Sequence, residues 1–189
     1  MNLIRGFRGF RGFRDPAGTA DTTGTIPLKY AAGIIPYSIN SEGELSFLLG
    51  YESGKWSGFI GKYEDSDNEN IINTAVREFN EETAYIFNDF IDIIKNKLIH
   101  NDSRLIVTKS YNNSRIIYIY FINIHNSVLE YPFENEFLNN RNLTYLNECK
   151  EKSEIRWIKY TDLESFNLIH GLKKIILRLN FIRNNNSHL

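Results

Sequence analysis

Arg77, Glu78, Glu81 and Glu82 fall within six consecutive positions. On an α-helix, residues three and four apart share a face, so the three glutamates project into one narrow sector. Carboxylates that close repel one another unless a cation sits among them. Hard oxygen donors of this kind suit Mg²⁺ or Mn²⁺. A divalent ion held there bridges phosphate oxygens, neutralises developing charge and acidifies water. The same residues on a solvated surface helix would do no chemistry. The surrounding pattern decides between the two.

That pattern runs from Gly61 to Tyr85, GKYEDSDNENIINTAVREFNEETAY. It resembles the Nudix box: Gly, five residues, Glu, seven residues, Arg-Glu, an aliphatic residue, any residue, Glu-Glu, any residue, Gly, an aliphatic residue. Glu69 stands eight positions before Arg77, and Arg77-Glu78-Phe79-Asn80-Glu81-Glu82-Thr83 follows in register. There are two departures. Seven residues separate Gly61 from Glu69, a loop two residues longer than the box has. Ala84 stands where the box closes on Gly, which weakens the preference for a left-handed helix end.

The resemblance implies a Nudix-type α/β/α sandwich with a mixed β-sheet, and hydrolysis of a diphosphate linkage in a nucleotide-type substrate. It implies that Glu78, Glu81 and Glu82 bind Mg²⁺ or Mn²⁺, with the Gly61 carbonyl a further ligand. Arg77 would orient the carboxylates, and Glu69 would pair with Arg77 and hold it. Glu78, Arg77 and Glu82 are thus the expected catalytic residues. The base is either Glu78 or a glutamate outside the box. Glu134 and Glu136 are candidates for that outside carboxylate, as are Glu148, Glu151 and Glu154, and spacing does not choose among them.

The family cleaves nucleoside triphosphates, dinucleoside polyphosphates, nucleotide sugars, inositol pyrophosphates and mRNA caps. Gly58-Phe59-Ile60-Gly61-Lys62 resembles the entry to the box in mRNA-decapping members, viral ones included. Small nucleotides, dinucleoside polyphosphates or inositol pyrophosphates are the competing substrates. A Nudix-fold binding module without catalysis is a third reading. Such modules usually lose box carboxylates, and this chain keeps them.

Stepwise outward from the box, the chain reads as one domain over residues 25–183, between an Arg/Gly/Phe-rich segment (1–24) and an Asn-rich end (184–189). The hydrophobic fraction of 42% suffices for a core, and a net charge of −1 argues against a generally basic nucleic-acid surface. One cysteine, Cys149, allows no internal disulfide, which suits a reducing, cytoplasmic setting. No apolar run reaches membrane-spanning length, and no signal peptide is evident. In RGFRGFRGFR, Arg5, Arg8, Arg11 and Arg14 alternate with Phe7, Phe10 and Phe13. Arginine with stacking aromatics suits single-stranded RNA; a passive tail is the alternative. The sequence gives no oligomeric state.

The elements that must position the box follow from periodicity. Lys29–Tyr37 and Leu45–Tyr51 read as an antiparallel strand pair around the Ser41-Glu42-Gly43 turn. Ala31, Ala32 and Gly33 would allow close backbone approach. Asn70 is the expected cap of a box helix beginning at Ile71, with a Ser66/Glu69 capping box as its competitor. Ile72, Ala75, Val76 and Phe79 should face the core. A second helix is expected over Asp89–Leu98. Strands are expected over Leu105–Tyr111, Arg115–Ile124 and Ile155–Tyr160, the second of them central. A C-terminal helix is expected over Leu168–Ile182, and Tyr131–Leu146 reads as irregular.

Overall fold

A computed structural model describes residues 30–100, 102–110, 115–124, 133–143, 151–177 and 179. Its sheet is built around Tyr30–Ile39 (β1). One edge of β1 pairs in parallel with Ile116–Asn123 (β6), and the other pairs antiparallel with Phe59–Lys62 (β4) and then with Leu45–Glu52 (β2). Lys55–Ser57 (β3) and Glu154–Lys159 (β7) pair with β2, while Ser103–Lys109 (β5) closes the far side on β6. The sheet is therefore mixed, and β6 is central as its unbroken apolar run requires. The small residues of β1 do what they were expected to do. A Cβ on Gly33 would lie 2.0 Å from the Phe59 carbonyl oxygen, so only glycine lets β4 lie this close.

Strand alternation sends side chains to two cores. On one face Ala32, Ile34, Leu48, Tyr120, Ile122 and Ile155 pack under Ile71–Glu82 (α1) and Ile91–Ile99 (α2). On the other, Ile35, Phe47, Leu49, Phe121 and Ile158 pack under Leu172–Leu177 (α4). This is the expected α/β/α sandwich. In α1, Ala75 and Phe79 are fully buried, with Ile72 and Val76 packed against them. Ile94 and Leu98 seat α2, whereas Phe90, just before its first residue, is 43% exposed.

One stretch departs from its reading. Phe133–Leu143 (α3) is helical, not irregular. Its sequence is rich in asparagine, and its periodicity is correspondingly weak. Tertiary contacts hold it: Phe137 is fully buried, Asn140 Nδ2 donates to the Ala84 carbonyl, and Arg141 Nε donates to the Lys152 carbonyl. Among the described residues, no helix is long and apolar enough to cross a membrane. Segments 1–24 and 184–189, with Arg5, Arg8, Arg11 and Arg14, lie outside the described residues, as does Glu148.

Candidate active site

The box loop joins β4 to α1. It makes one turn of 3₁₀ helix, Asp65–Asp67, followed by two residues in the left-handed region, Asn68 (φ 53°) and Glu69 (φ 56°). Asn70 then caps α1 as expected, its side-chain oxygen accepting from the amides of Ile72 and Asn73 at 2.9 Å and 3.3 Å. The left-handed pair turns Glu69 out to solvent and carries Asp67 inward.

Asp67, and not Glu69, holds Arg77. Arg77 Nε donates to Asp67 Oδ1 at 2.9 Å and Nη2 donates to Oδ2 at 3.1 Å, a two-pronged pair on a carboxylate only 3% exposed. Thr74 Oγ1 and the Glu64 amide also donate to Asp67 Oδ2. Burial alone would raise the Asp67 pKa, but these donors outweigh it and hold it below the usual carboxylate range. The sequence carried a signal for this. Five residues separate Gly61 from Asp67, which is the Gly-to-acid spacing of the box. The two extra residues therefore lie after the acid, as the left-handed Asn68-Glu69 pair, and not before it.

Arg77 gathers the rest of the box. Its Nη1 lies 3.0 Å from Glu78 Oε1 and 3.0 Å from Glu81 Oε2, and Nη2 donates to the Lys62 carbonyl at 2.7 Å. Burial would lower the Arg77 pKa; the surrounding carboxylates raise it and keep the guanidinium charged. Glu78 lies against Gly61. A Cβ at Gly61 would meet the Glu78 carboxylate at 2.0 Å, so glycine there makes room for the acid. Gly61, Arg77, Glu78 and Glu81 are thus brought together.

Glu82 lies one turn beyond Glu78 and is 2% exposed. Its Oε1 is 3.1 Å from Lys152 Nζ, while its Oε2 is buried with no hydrogen-bond partner among the described residues. One carboxylate oxygen from each of Glu52, Glu82 and Glu151 lies within 4.8 Å of the others. Burial pushes Glu82 up to about 8, with the Glu78 and Glu151 charges adding and Lys152 opposing. Burial likewise pushes Glu78 up to about 7, opposed by Arg77 and reinforced by Glu81 and Glu151. Both shifts say that burial outweighs the counter-charge that Arg77 and Lys152 supply. An orphaned buried oxygen, on an acid grouped with two further carboxylates, fits a hard divalent cation.

Of the candidates outside the box, Glu151 joins this cluster. Glu134 and Glu136 lie in the first turn of α3, and neither belongs to the cluster found among the described residues. Glu154 pairs instead with Arg156. Sequence reasoning missed Glu52 and Lys152. Alternation on β2 puts Leu48, Gly50 and Glu52 on the α1 face, and the antiparallel β2–β7 register, Tyr51 opposite Glu154, brings residues 151 and 152 beside them. The helix end differs from expectation too. Ala84 (φ 53°) and Tyr85 (φ 60°) are both left-handed, so the turn that the box makes with Gly persists with Ala in its place.

No protein-family model matches the chain, and no curated protein matches it by sequence. Solved structures do match. An Ap4A hydrolase from C. elegans, in a binary complex, aligns over 84% of this chain and 99% of its own, with a TM-score of 0.53 and 14% identity. A MutT/Nudix family protein from Listeria innocua aligns over 86% of this chain and 98% of its own, with a TM-score of 0.51 and 17% identity. The fold of this chain is the Nudix fold.

Proposed function

We propose that this chain, built on the Nudix fold, is a divalent-metal-dependent pyrophosphohydrolase that cleaves the phosphoanhydride linkage of a nucleotide-type substrate. The observation that carries this reading is Glu82 Oε2, buried and unpartnered among the described residues, on an acid whose carboxylate groups with those of Glu52 and Glu151. Glu78 and Glu82, with Glu81, would hold Mg²⁺ or Mn²⁺, and the Gly61 backbone lies against the Glu78 carboxylate. A divalent ion bound there supplies the charge that lets a phosphoanhydride accept a nucleophile. The protein supplies position. Asp67 fixes Arg77; Arg77 fixes the facing oxygens of Glu78 and Glu81 and ties α1 to the Lys62 carbonyl. A carboxylate freed of its proton by the ion can take one from water.

The C. elegans neighbour is an Ap4A hydrolase, which supports dinucleoside polyphosphates as a substrate class to test here. The Arg-Gly-Phe repeat supports capped RNA as a second class, with Arg5, Arg8, Arg11 and Arg14 as its contacts. The test is a metal-supplemented panel of capped RNA, dinucleoside polyphosphates, nucleotide sugars and inositol pyrophosphates, with products identified. Glu82→Gln should lower turnover of the preferred substrate by roughly a hundredfold while the protein stays folded, because it removes a charge from the ion's site. Wild-type turnover in that variant would remove the assignment. Deleting residues 1–14 should weaken capped-RNA binding and lower its salt slope by about 0.7 per lost phosphate contact. Cleavage of a small soluble diphosphate substrate should not change.

A further inference from the structure

One of the buried charges in the carboxylate cluster is a cation. Lys152 is 2% exposed. Its three ammonium hydrogens have three acceptors: Glu52 Oε2 at 2.7 Å, Ser57 Oγ at 2.9 Å and Glu82 Oε1 at 3.1 Å. Its stem crosses β2 at Gly50, where a Cβ would come within 2.9 Å of Lys152 Cγ and Cδ. Its carbonyl accepts from Arg141 Nε at 2.8 Å. The residue is therefore held at its backbone, along its stem and at its head.

The two oxygens of Glu82 are consequently unlike. Oε1 faces an ammonium, and Oε2 is buried without a hydrogen-bond partner among the described residues. Moving Lys152 away would strand the ammonium from all three acceptors or drag the stem off Gly50.

We infer that Lys152 is a resident cation: its ammonium fills one cation position of the cluster, on Glu82 Oε1 and Glu52, and leaves Glu82 Oε2 for the divalent ion. This rests on the reading of the cluster as a divalent-metal site. It goes beyond that reading in saying that one positive charge of the site is built into the chain and does not exchange. The site accordingly takes fewer divalent ions than its carboxylates would hold without the lysine. Lys152 is a positioning residue, setting which oxygen of Glu82 is presented.

The test counts ions directly. Bound Mn²⁺ is measured by electron paramagnetic resonance on wild type and on Lys152→Met. The expected result is one more Mn²⁺ per chain in the variant. An unchanged count, whether at equal or at tighter affinity, overturns the inference, since a displaced lysine would only have competed. A second measurement uses wild type alone: reductive methylation with and without saturating Mn²⁺, mapped by mass spectrometry. Lys152 should stay unmodified in both states while the exposed Lys159 and Lys173 react. Methylation of Lys152 that appears only with Mn²⁺ overturns the inference even if Lys152→Met does not fold. Wild type that binds no Mn²⁺ overturns both this inference and the proposed function. Wild type that binds Mn²⁺, with no gain in the variant, removes this inference alone.

Discussion

Asp67 and Arg77 meet through two hydrogen bonds, 2.9 Å and 3.1 Å long, across ten residues of chain. The pair ties the loop before α1 to the helix that carries the acids. Asp67→Asn should leave the guanidinium with a neutral partner and reduce stability by about 3 kcal/mol, at the low end for a broken buried pair because Glu78 and Glu81 remain. Turnover should fall with it, since Arg77 positions both acids. Glu69→Gln should change neither. Urea denaturation and steady-state rates on the two variants separate the roles, and a loss confined to Glu69→Gln would reverse the assignment.

Glu69 itself is strained. It is exposed and left-handed at φ 56°, where a side chain costs about 1 kcal/mol relative to glycine. Glu69→Gly should therefore stabilise the protein by about 1 kcal/mol and leave turnover at the wild-type value. Lower stability would mean that the side chain makes a contact that compensates its backbone.

Gly61→Ala should separate function from folding. The added methyl would meet the Glu78 carboxylate at 2.0 Å, and a carboxylate at the end of a flexible side chain can move aside. Thermal stability should change little. A displaced acid of this kind lowers turnover by roughly a hundredfold. Equal loss of stability and rate would show that the backbone, and not Glu78, gave way.

Metal and pH should act together. The folded-state pKa values of Glu78 and Glu82 stand at about 7 and about 8, above the ordinary 4.5. The folded chain then binds more protons than the unfolded one across that window, so its stability falls as pH rises through it. Asp67 has the opposite sign, its contribution being lost below the ordinary 3.8. Stripped of divalent ions with chelator, the protein should lose urea resistance between about pH 5 and pH 8.5; saturating Mg²⁺ should flatten that decline by favouring the ionised acids. A metal-free profile that rises over the same range would contradict the burial of both acids.

What could be read in the sequence was what neighbours in the chain determine. The spacing of Ile72, Ala75, Val76 and Phe79, the Asn70 cap and the hairpin of β1 and β2 are local. So is the juxtaposition of Arg77, Glu78 and Glu81. What could not be read was set by partners far along the chain. Lys152 reaches Glu52 across 100 residues and Ser57 across 95, and no periodicity announces such a meeting. α3 escaped because its helix depends on Phe137 and on the carbonyls of Ala84 and Lys152 more than on its own pattern. Asp67 was legible in principle, from its distance to Gly61, but the distance from Glu69 to Arg77 matched equally well.

The pairing of β7 with β2 also sets an order of events during synthesis. Residues 30–124 emerge from the ribosome before residues 151–159, so the outer edge of β2 waits, unpaired, for the last strand of the sheet. Its Phe47, Leu48 and Leu49 are apolar, the composition that invites edge-to-edge association while the ladder is open. Glu82 waits as well, its counter-ion still untranslated. A chain halted before residue 151 therefore carries both a sticky edge and an unneutralised interior acid. Arrival of β7, with Lys152 just before it, removes the two together.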